Sequence, residues 1–224
     1  MVFCVLVLPM SRRANFDARC DRCRMHDSLC ICALIPTIET RTRLVLLIHR
    51  REDRKTTNTG RLATLCLPNS EVVVRGEIDE RTTPFVPDPA RQPVLLYPSD
   101  DAVPLADFAA SERPITLLVP DGTWRQASKV KNRVPGLAEL PCVSLPPGPT
   151  TVYRLRHETR DGGLATFEAI ARAMGVLEGP DVRATMERVF LAMVERTLWS
   201  RGVMDAGKVA AGIPEGTQRH LPRG

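Results

Sequence analysis

Three features of the sequence predict an α/β protein with a parallel or mixed sheet. Short apolar runs have the length of buried strands, helix-forming stretches alternate with them, and Gly, Pro and Asp turns separate the two. The chain has 224 residues, 43% hydrophobic and 25% charged, the balance of one globular domain with room for a small appendage. Aromatics reach only 4%, so Leu, Val, Ile and Ala must build the core. No stretch is long and apolar enough to cross a bilayer. The run from Met1 to Pro9 lacks a basic n-region and a small-residue cleavage site, so it does not read as a signal peptide. Met10-Ser11-Arg12-Arg13 reads as an alternative start. These features place the chain in the cytoplasm, where thiols stay reduced.

Charge narrows the partners only slightly. Lys and Arg total 31 against 26 Asp and Glu, for a net +5. Arg strongly outnumbers Lys, which suits phosphate and carboxylate recognition through a planar fork. This balance permits nucleic acid without demanding it.

The elements follow in order. Residues 1–18 are an N-terminal extension with no expected order. Residues 19–42 hold four of the seven cysteines, Cys20-x-x-Cys23 and Cys30-x-Cys32, across a polar turn. Two such pairs can close a tetrahedral four-thiolate zinc site, the reading favoured in a reducing compartment. Two disulfides, a redox Cys-x-x-Cys, and a set in which His26 replaces one cysteine are the alternatives. Cys4, Cys66 and Cys142 sit in apolar surroundings as core residues.

Arg43 to Ile48 is the first buried strand. It runs into the charged turn of His49, Arg50, Arg51, Glu52, Asp53, Arg54 and Lys55. Thr56 to Gly60 then offers caps for a short helix through Leu62 and Leu65. A strand, polar loop and capped helix can seat an anion, although the cations equally suit a solvated face. Val72 to Val74 and Val94 to Tyr97 are further strands, separated by the proline-dense stretch from Thr83 to Pro89. Pro98 to Ala102 reads as a strand-to-helix turn. Ile115 to Val119 is another buried strand. It ends in Asp121-Gly122-Thr123-Trp124 and leads to a helix over Trp124 to Val130. That arrangement puts the Asp121 carboxylate at the strand's C-terminal edge, where ligands of open α/β sheets collect. Helix capping by Asp121 is the plain alternative.

Cys142 to Leu145 is the last strand, stopped by Pro146-Pro147-Gly148-Pro149. A helix then starts near Leu164, with Thr166 as N-cap and Glu168 in its first turn. The final helix spans Asp181 to about Trp199, with Val182, Met186, Val189, Phe190, Met193 and Thr197 on one face. Residues 43–201 form the α/β domain, and residues 202–224 read as a flexible tail.

The ordered motifs are Cys20-x-x-Cys23 with Cys30-x-Cys32, His49-x-x-Glu52, Asn58-Thr59, Asp121-x-Thr123-Trp124, Tyr153-x-x-Arg156 and Thr166-x-Glu168-Ala169. On these residues, and over 19 to 200, the chain resembles the DTW-domain family, named for its Asp-x-Thr-Trp signature. One position departs. Arg50 stands where the family usually has proline after the histidine, which bears on the rigidity of that loop.

The resemblance implies a SPOUT-like α/β domain with a C-terminal knot. It implies transfer of the 3-amino-3-carboxypropyl group of S-adenosylmethionine to N3 of a tRNA uridine, releasing 5′-methylthioadenosine. Asp121 would serve as general base or hold the donor's ammonium. Thr123, Trp124, Tyr153, Arg156, Thr166 and Glu168 would contact the donor. Arg50, Arg51, Arg54, Lys55 and Arg125 would grip tRNA, and Cys20, Cys23, Cys30 and Cys32 would hold structural zinc. No membrane and no obligate protein partner is expected. The competing functions are a SPOUT-type RNA methyltransferase with the same donor and a non-catalytic zinc-ribbon RNA-binding module.

Overall fold

Six parallel strands form one sheet in the order β2-β1-β5-β3-β6-β4. They are β1 (Arg43–His49), β2 (Ser70–Arg75), β3 (Gln92–Leu96), β4 (Val103–Pro104), β5 (Ile115–Asp121) and β6 (Cys142–Ser144). This computed structural model describes residues 18–56, 58–76, 83–155 and 163–219. The α/β expectation holds, and its open choice resolves to an all-parallel sheet among the described strands.

The central strands β1 and β5 read as continuous apolar runs because both of their faces are covered. Leu44, Leu46 and Ile48 of β1 and Leu117 and Val119 of β5 pack into the larger core. Val45, Leu47 and Leu118 pack into the smaller one on the other face. The larger core is roofed by α2 (Gly60–Cys66), α5 (Thr166–Leu177) and α6 (Pro180–Ser200). The smaller core closes on Val130, Val134, Leu137 and Leu140. Short helical turns α1 (Arg50–Asp53), α3 (Trp124–Ala127) and α4 (Val130–Arg133) complete the set, with 3-10 turns at Asp27–Leu29, Cys32–Leu34, Leu105–Phe108 and Ala206–Lys208.

Four local expectations need correction. The helix expected from Trp124 to Val130 is two separate turns, α3 capping at Ser128 and α4 starting only at Val130. The stretch after Pro98 yields the two-residue strand β4, whose exposed residues carry no apolar pattern to announce it. Thr166 is the first residue of α5, and Ala165 holds the capping position. The end of the chain is tied down through residue 219. Val209 is buried, the Glu195 carboxylate accepts from the Ala210 N–H, and the Thr217 hydroxyl donates to the Ser28 carbonyl. The second half of α6 is therefore buried nearly all round, beyond the single stripe that its apolar spacing suggested.

Candidate active site

Asp121 ends β5, and strand alternation puts it on the same face as Leu117 and Val119. Only 5% of it is exposed. The Asn58 side-chain amide donates to its Oδ2 at 2.6 Å, and the Thr166 hydroxyl donates to its Oδ1 at 2.6 Å. The amide of Asn58 is itself oriented, because its Oδ1 accepts from the Arg61 N–H at 3.2 Å. Thr166 is fixed by its place at the start of α5. The neighbouring Phe167 N–H donates to the Thr59 hydroxyl at 3.3 Å, so the first turns of α2 and α5 are clamped together over the carboxylate.

Gly60 makes this approach feasible. A Cβ there would lie 2.6 Å from Asp121 Oδ2 and 3.0 Å from Leu46 Cδ1, inside normal contact. Asp121 is thus a buried carboxyl group with defined orientation, held by protein donors in place of water.

The carboxylate borders a cavity of about 870 Å³ over the C-terminal edge of the sheet. Asn58, Thr59, Thr166, Ala169 and Tyr153 line one side. Tyr97, Trp124 and Arg125 line another, and Leu145 to Thr150 close a third. Trp124 is half-buried, with its ring centroid 6.4 Å from that of Tyr97 at an interplanar angle of 56°. The expected site residues Asp121, Thr123, Trp124, Arg125, Tyr153 and Thr166 all reach this cavity. Tyr153 contributes only an edge, since it is 3% exposed and its ring packs 5.7 Å from Phe190.

Glu168 stands apart. Its carboxylate accepts from the Thr151 hydroxyl at 2.5 Å, the Val152 N–H at 2.8 Å and the Ala165 N–H at 2.9 Å. These bonds pin the segment before Tyr153 to the start of α5. Arg156 lies outside the described residues.

The basic turn is partly engaged. Lys55 pairs with the buried Glu52 at 2.5 Å, and Asp53 pairs with Arg61 and with Arg24. Arg51 and Arg54 are exposed. His49 accepts the Arg51 N–H on Nδ1 at 3.2 Å. Burial lowers its imidazole pKa, and the Arg75, Arg51 and Arg50 cations lower it further.

Tyr97, Gly60 and Arg172 also belong to the site and carried no assignment from the sequence. Arg172 follows Thr166 and Ala169 at three-residue steps along α5, a stripe that would have revealed it. Its guanidinium donates to the Pro149 carbonyl and lies where a Cβ on Gly148 would be 2.9 Å away.

The four thiols of Cys20, Cys23, Cys30 and Cys32 converge within 4.8 Å of one another. Cys20 Sγ is 3.5 Å from Cys32 Sγ, and Cys23 Sγ is 3.7 Å from Cys30 Sγ. A disulfide needs about 2.05 Å. Four thiolates at about 2.3 Å from a tetrahedral zinc lie roughly 3.8 Å apart, so the set fits zinc. His26 is not needed, and its Nδ1 engages Ser28 at 2.9 Å. The Cys23 backbone N–H is the main cause drawing the Cys20 thiol down to about 7, and burial raises Cys23 and Cys32. Arg196 on α6 braces the knuckle, donating to the Cys30 carbonyl at 2.6 Å and through Nε to the Gly212 carbonyl at 2.9 Å.

Sheet, buried carboxylate, large edge cavity and thiol knuckle define an α/β protein with a cavity at the sheet edge and a four-cysteine cluster that could hold a metal. The chain belongs to the DTW domain family, whose description matches residues 17–198. It is 31% identical over 186 residues to a Drosophila melanogaster protein named tRNA-uridine aminocarboxypropyltransferase 2, covering 78% of this chain and 72% of that one. An Arabidopsis thaliana protein named tRNA-uridine aminocarboxypropyltransferase A is 28% identical, with 78% and 79% covered. A Macaca fascicularis protein named tRNA-uridine aminocarboxypropyltransferase 2 is 27% identical, and the match spans 77% of this chain and 59% of the relative. No solved structure matches. Among the described residues no helix is long and apolar enough to cross a membrane.

Proposed function

We propose that the chain is a tRNA-uridine aminocarboxypropyltransferase using S-adenosylmethionine as donor. The observation that carries this reading is the Asp121 carboxylate, oriented by Asn58 and Thr166 at the wall of the cavity, in a family whose curated relatives bear that activity's name. In the reaction, uridine N3 loses its proton and attacks the donor's Cγ. The C–S bond breaks and its electron pair stays on sulfur, giving neutral 5′-methylthioadenosine. Asp121 either takes the N3 proton, or holds the donor's α-ammonium so that Cγ faces N3 while the N3 proton passes to solvent water.

The two hydrogen bonds to the anion favour the holding role. They stabilise the charged carboxylate and would be weakened if it took a proton. Trp124 and Tyr97 offer aromatic faces for adenine or uracil and for the sulfonium charge. Arg125 and Arg172 offer guanidinium forks for the donor's carboxylate. Arg156 is a further candidate from its motif.

The basic turn with Arg50, Arg51 and Arg54 suits backbone phosphates. Zinc held by Cys20, Cys23, Cys30 and Cys32 would staple residues 19–42 to the domain of 43–201. The SPOUT-like domain with a C-terminal knot belongs to the same reading, and the six-stranded parallel sheet is compatible with it. A cytoplasmic location suits four reduced thiols.

The test is incubation of purified protein with S-adenosylmethionine and unmodified tRNA. We expect release of 5′-methylthioadenosine and a nucleoside heavier by one aminocarboxypropyl group. A methylated nucleoside with S-adenosylhomocysteine would replace this reading by methyl transfer. Binding of tRNA without any donor affinity would reduce the chain to an RNA-binding module.

A further inference from the structure

Arg75 is the last residue of β2 and is only 8% exposed. Its Nη2 is buried without a hydrogen-bond partner, and its Nε reaches only the Leu47 carbonyl, at 3.4 Å. Among the described residues no carboxylate pairs with it in an ion pair. A buried guanidinium without an anion is costly, so such groups are retained where an anion arrives. Its surroundings are cationic. Register puts Arg75 beside His49, and the next residue, Gly76, lies so close that a Cβ would be 2.9 Å from His49 Nε2. The exposed Arg133 at the end of α4 is near enough to lower the Arg75 pKa further after burial has done so. On the His49 side, the basic turn begins at the very next residue.

The position also fits. Ile48 of β1 pairs with Val74 on one side and with Asp121 on the other. Arg75 and Asp121 therefore stand two strand spacings apart along one sheet edge, roughly 10 Å between backbones. Their side chains lie on opposite faces of the sheet, because successive strand residues alternate. A nucleic-acid strand crossing that edge would pass both residues.

We infer that Arg75, with His49 and Arg133, forms a binding site for a phosphate oxyanion, and that its physiological occupant is a tRNA backbone phosphate. This rests on the tRNA reading above for the source of the phosphate, though not for the anion site itself. Donation from a guanidinium held by the fold would make this contact more exact in register than those of flexible surface arginines.

The test uses the full chain, wild type and Arg75→Met, which keeps volume and removes the charge. Binding of tRNA is followed across a salt series, and thermal unfolding is followed with inorganic phosphate against chloride at equal ionic strength. We expect Arg75→Met to fold, to lower the salt slope by about one, and to weaken tRNA binding about tenfold or more. S-adenosylmethionine affinity should be unchanged, because Arg75 does not line the cavity. Inorganic phosphate should raise the wild-type melting temperature and not that of the variant. Arg133→Ala, at an exposed position, should move the slope in the same direction and keeps the test valid if Arg75→Met folds poorly. A wild-type slope in the folded variants overturns the site. Wild-type protein stabilised by phosphate but indifferent to tRNA would keep the anion site and overturn the tRNA occupant. Failure of transfer with tRNA binding and slope change intact would count against the proposed activity alone.

Discussion

Gly60→Ala puts one methyl group against the candidate active-site carboxylate. The added carbon would lie 2.6 Å from Asp121 Oδ2, about 0.8 Å short of ordinary contact at 3.4 Å. It would also meet Leu46 Cδ1 at 3.0 Å and Cδ2 at 3.1 Å, which can yield by small rotations of a flexible side chain. The carboxylate cannot yield as easily, because Asn58 and Thr166 hold one oxygen each. Two effects then compete in stability. Alanine in a helix is favoured over glycine by about 1 kcal/mol. Overpacking costs about 1–3 kcal/mol.

We expect a net loss of stability and a displacement of the carboxylate by several tenths of an ångström. Misplacement near 1 Å costs about 10²-fold in rate, so turnover should fall by roughly 10- to 100-fold with the fold intact. The assay is 5′-methylthioadenosine release at saturating donor, with melting measured alongside. Adding Asp121→Ala removes the atoms in conflict, so the double variant should recover the stability lost by Gly60→Ala; a double-mutant cycle measures that coupling. A Gly60→Ala protein with wild-type turnover and wild-type melting would refute the reasoning.

Asp121→Asn separates the two roles of the carboxylate: a fall in turnover of about 10²–10⁴-fold with donor affinity kept marks a base, and weakened donor binding with 5′-methylthioadenosine binding kept marks an ammonium holder. Normal turnover would remove Asp121 from the chemistry. Cys23→Ser should lower zinc content by elemental analysis and lower the melting temperature while donor binding persists; freshly purified, reduced protein without zinc would refute the metal site. Changing Arg50 and Arg51 together to Ala should raise the KM for tRNA and reduce the salt slope by about one or two, and an unchanged slope would return them to a solvated face. His49 has its proton affinity depressed by burial and by neighbouring arginines, so the unfolded chain takes up a proton that the folded chain resists. Its effect is absent well above the unfolded value of about 6.5 and destabilises as pH falls through it, so melting should drop less between pH 7 and 5 in His49→Asn than in wild type.

What could be read in the sequence was what local rules decide. β1 and β5 were legible because both their faces are buried, which writes strands as unbroken apolar runs. The convergence of the four cysteines was legible because two closely spaced pairs across a short turn can meet at one point. β4 was not, since two exposed residues carry no pattern, and neither was the division of the helix after Trp124, whose residues all permit helix. Glu168 shows a deeper limit. Its place in a first turn explained it locally, yet two of its three bonds go to Thr151 and Val152, outside the helix in whose first turn it lies. Thr166 shows the same limit at the site itself. Threonine near a helix start reads as a cap, and aspartate at a strand end reads as a cap or a ligand. Packing α5 across the edge of β5 turns the threonine hydroxyl onto the aspartate, 45 residues earlier in the chain. Neither residue's local role predicts the other, because the bond depends on where the strand order lays a helix. Asn58 and Gly60 reach the same carboxylate from a third direction, one by donating and the other by having no side chain to intrude. A buried anion is tolerable only when such donors converge on it, and their convergence is a property of the topology.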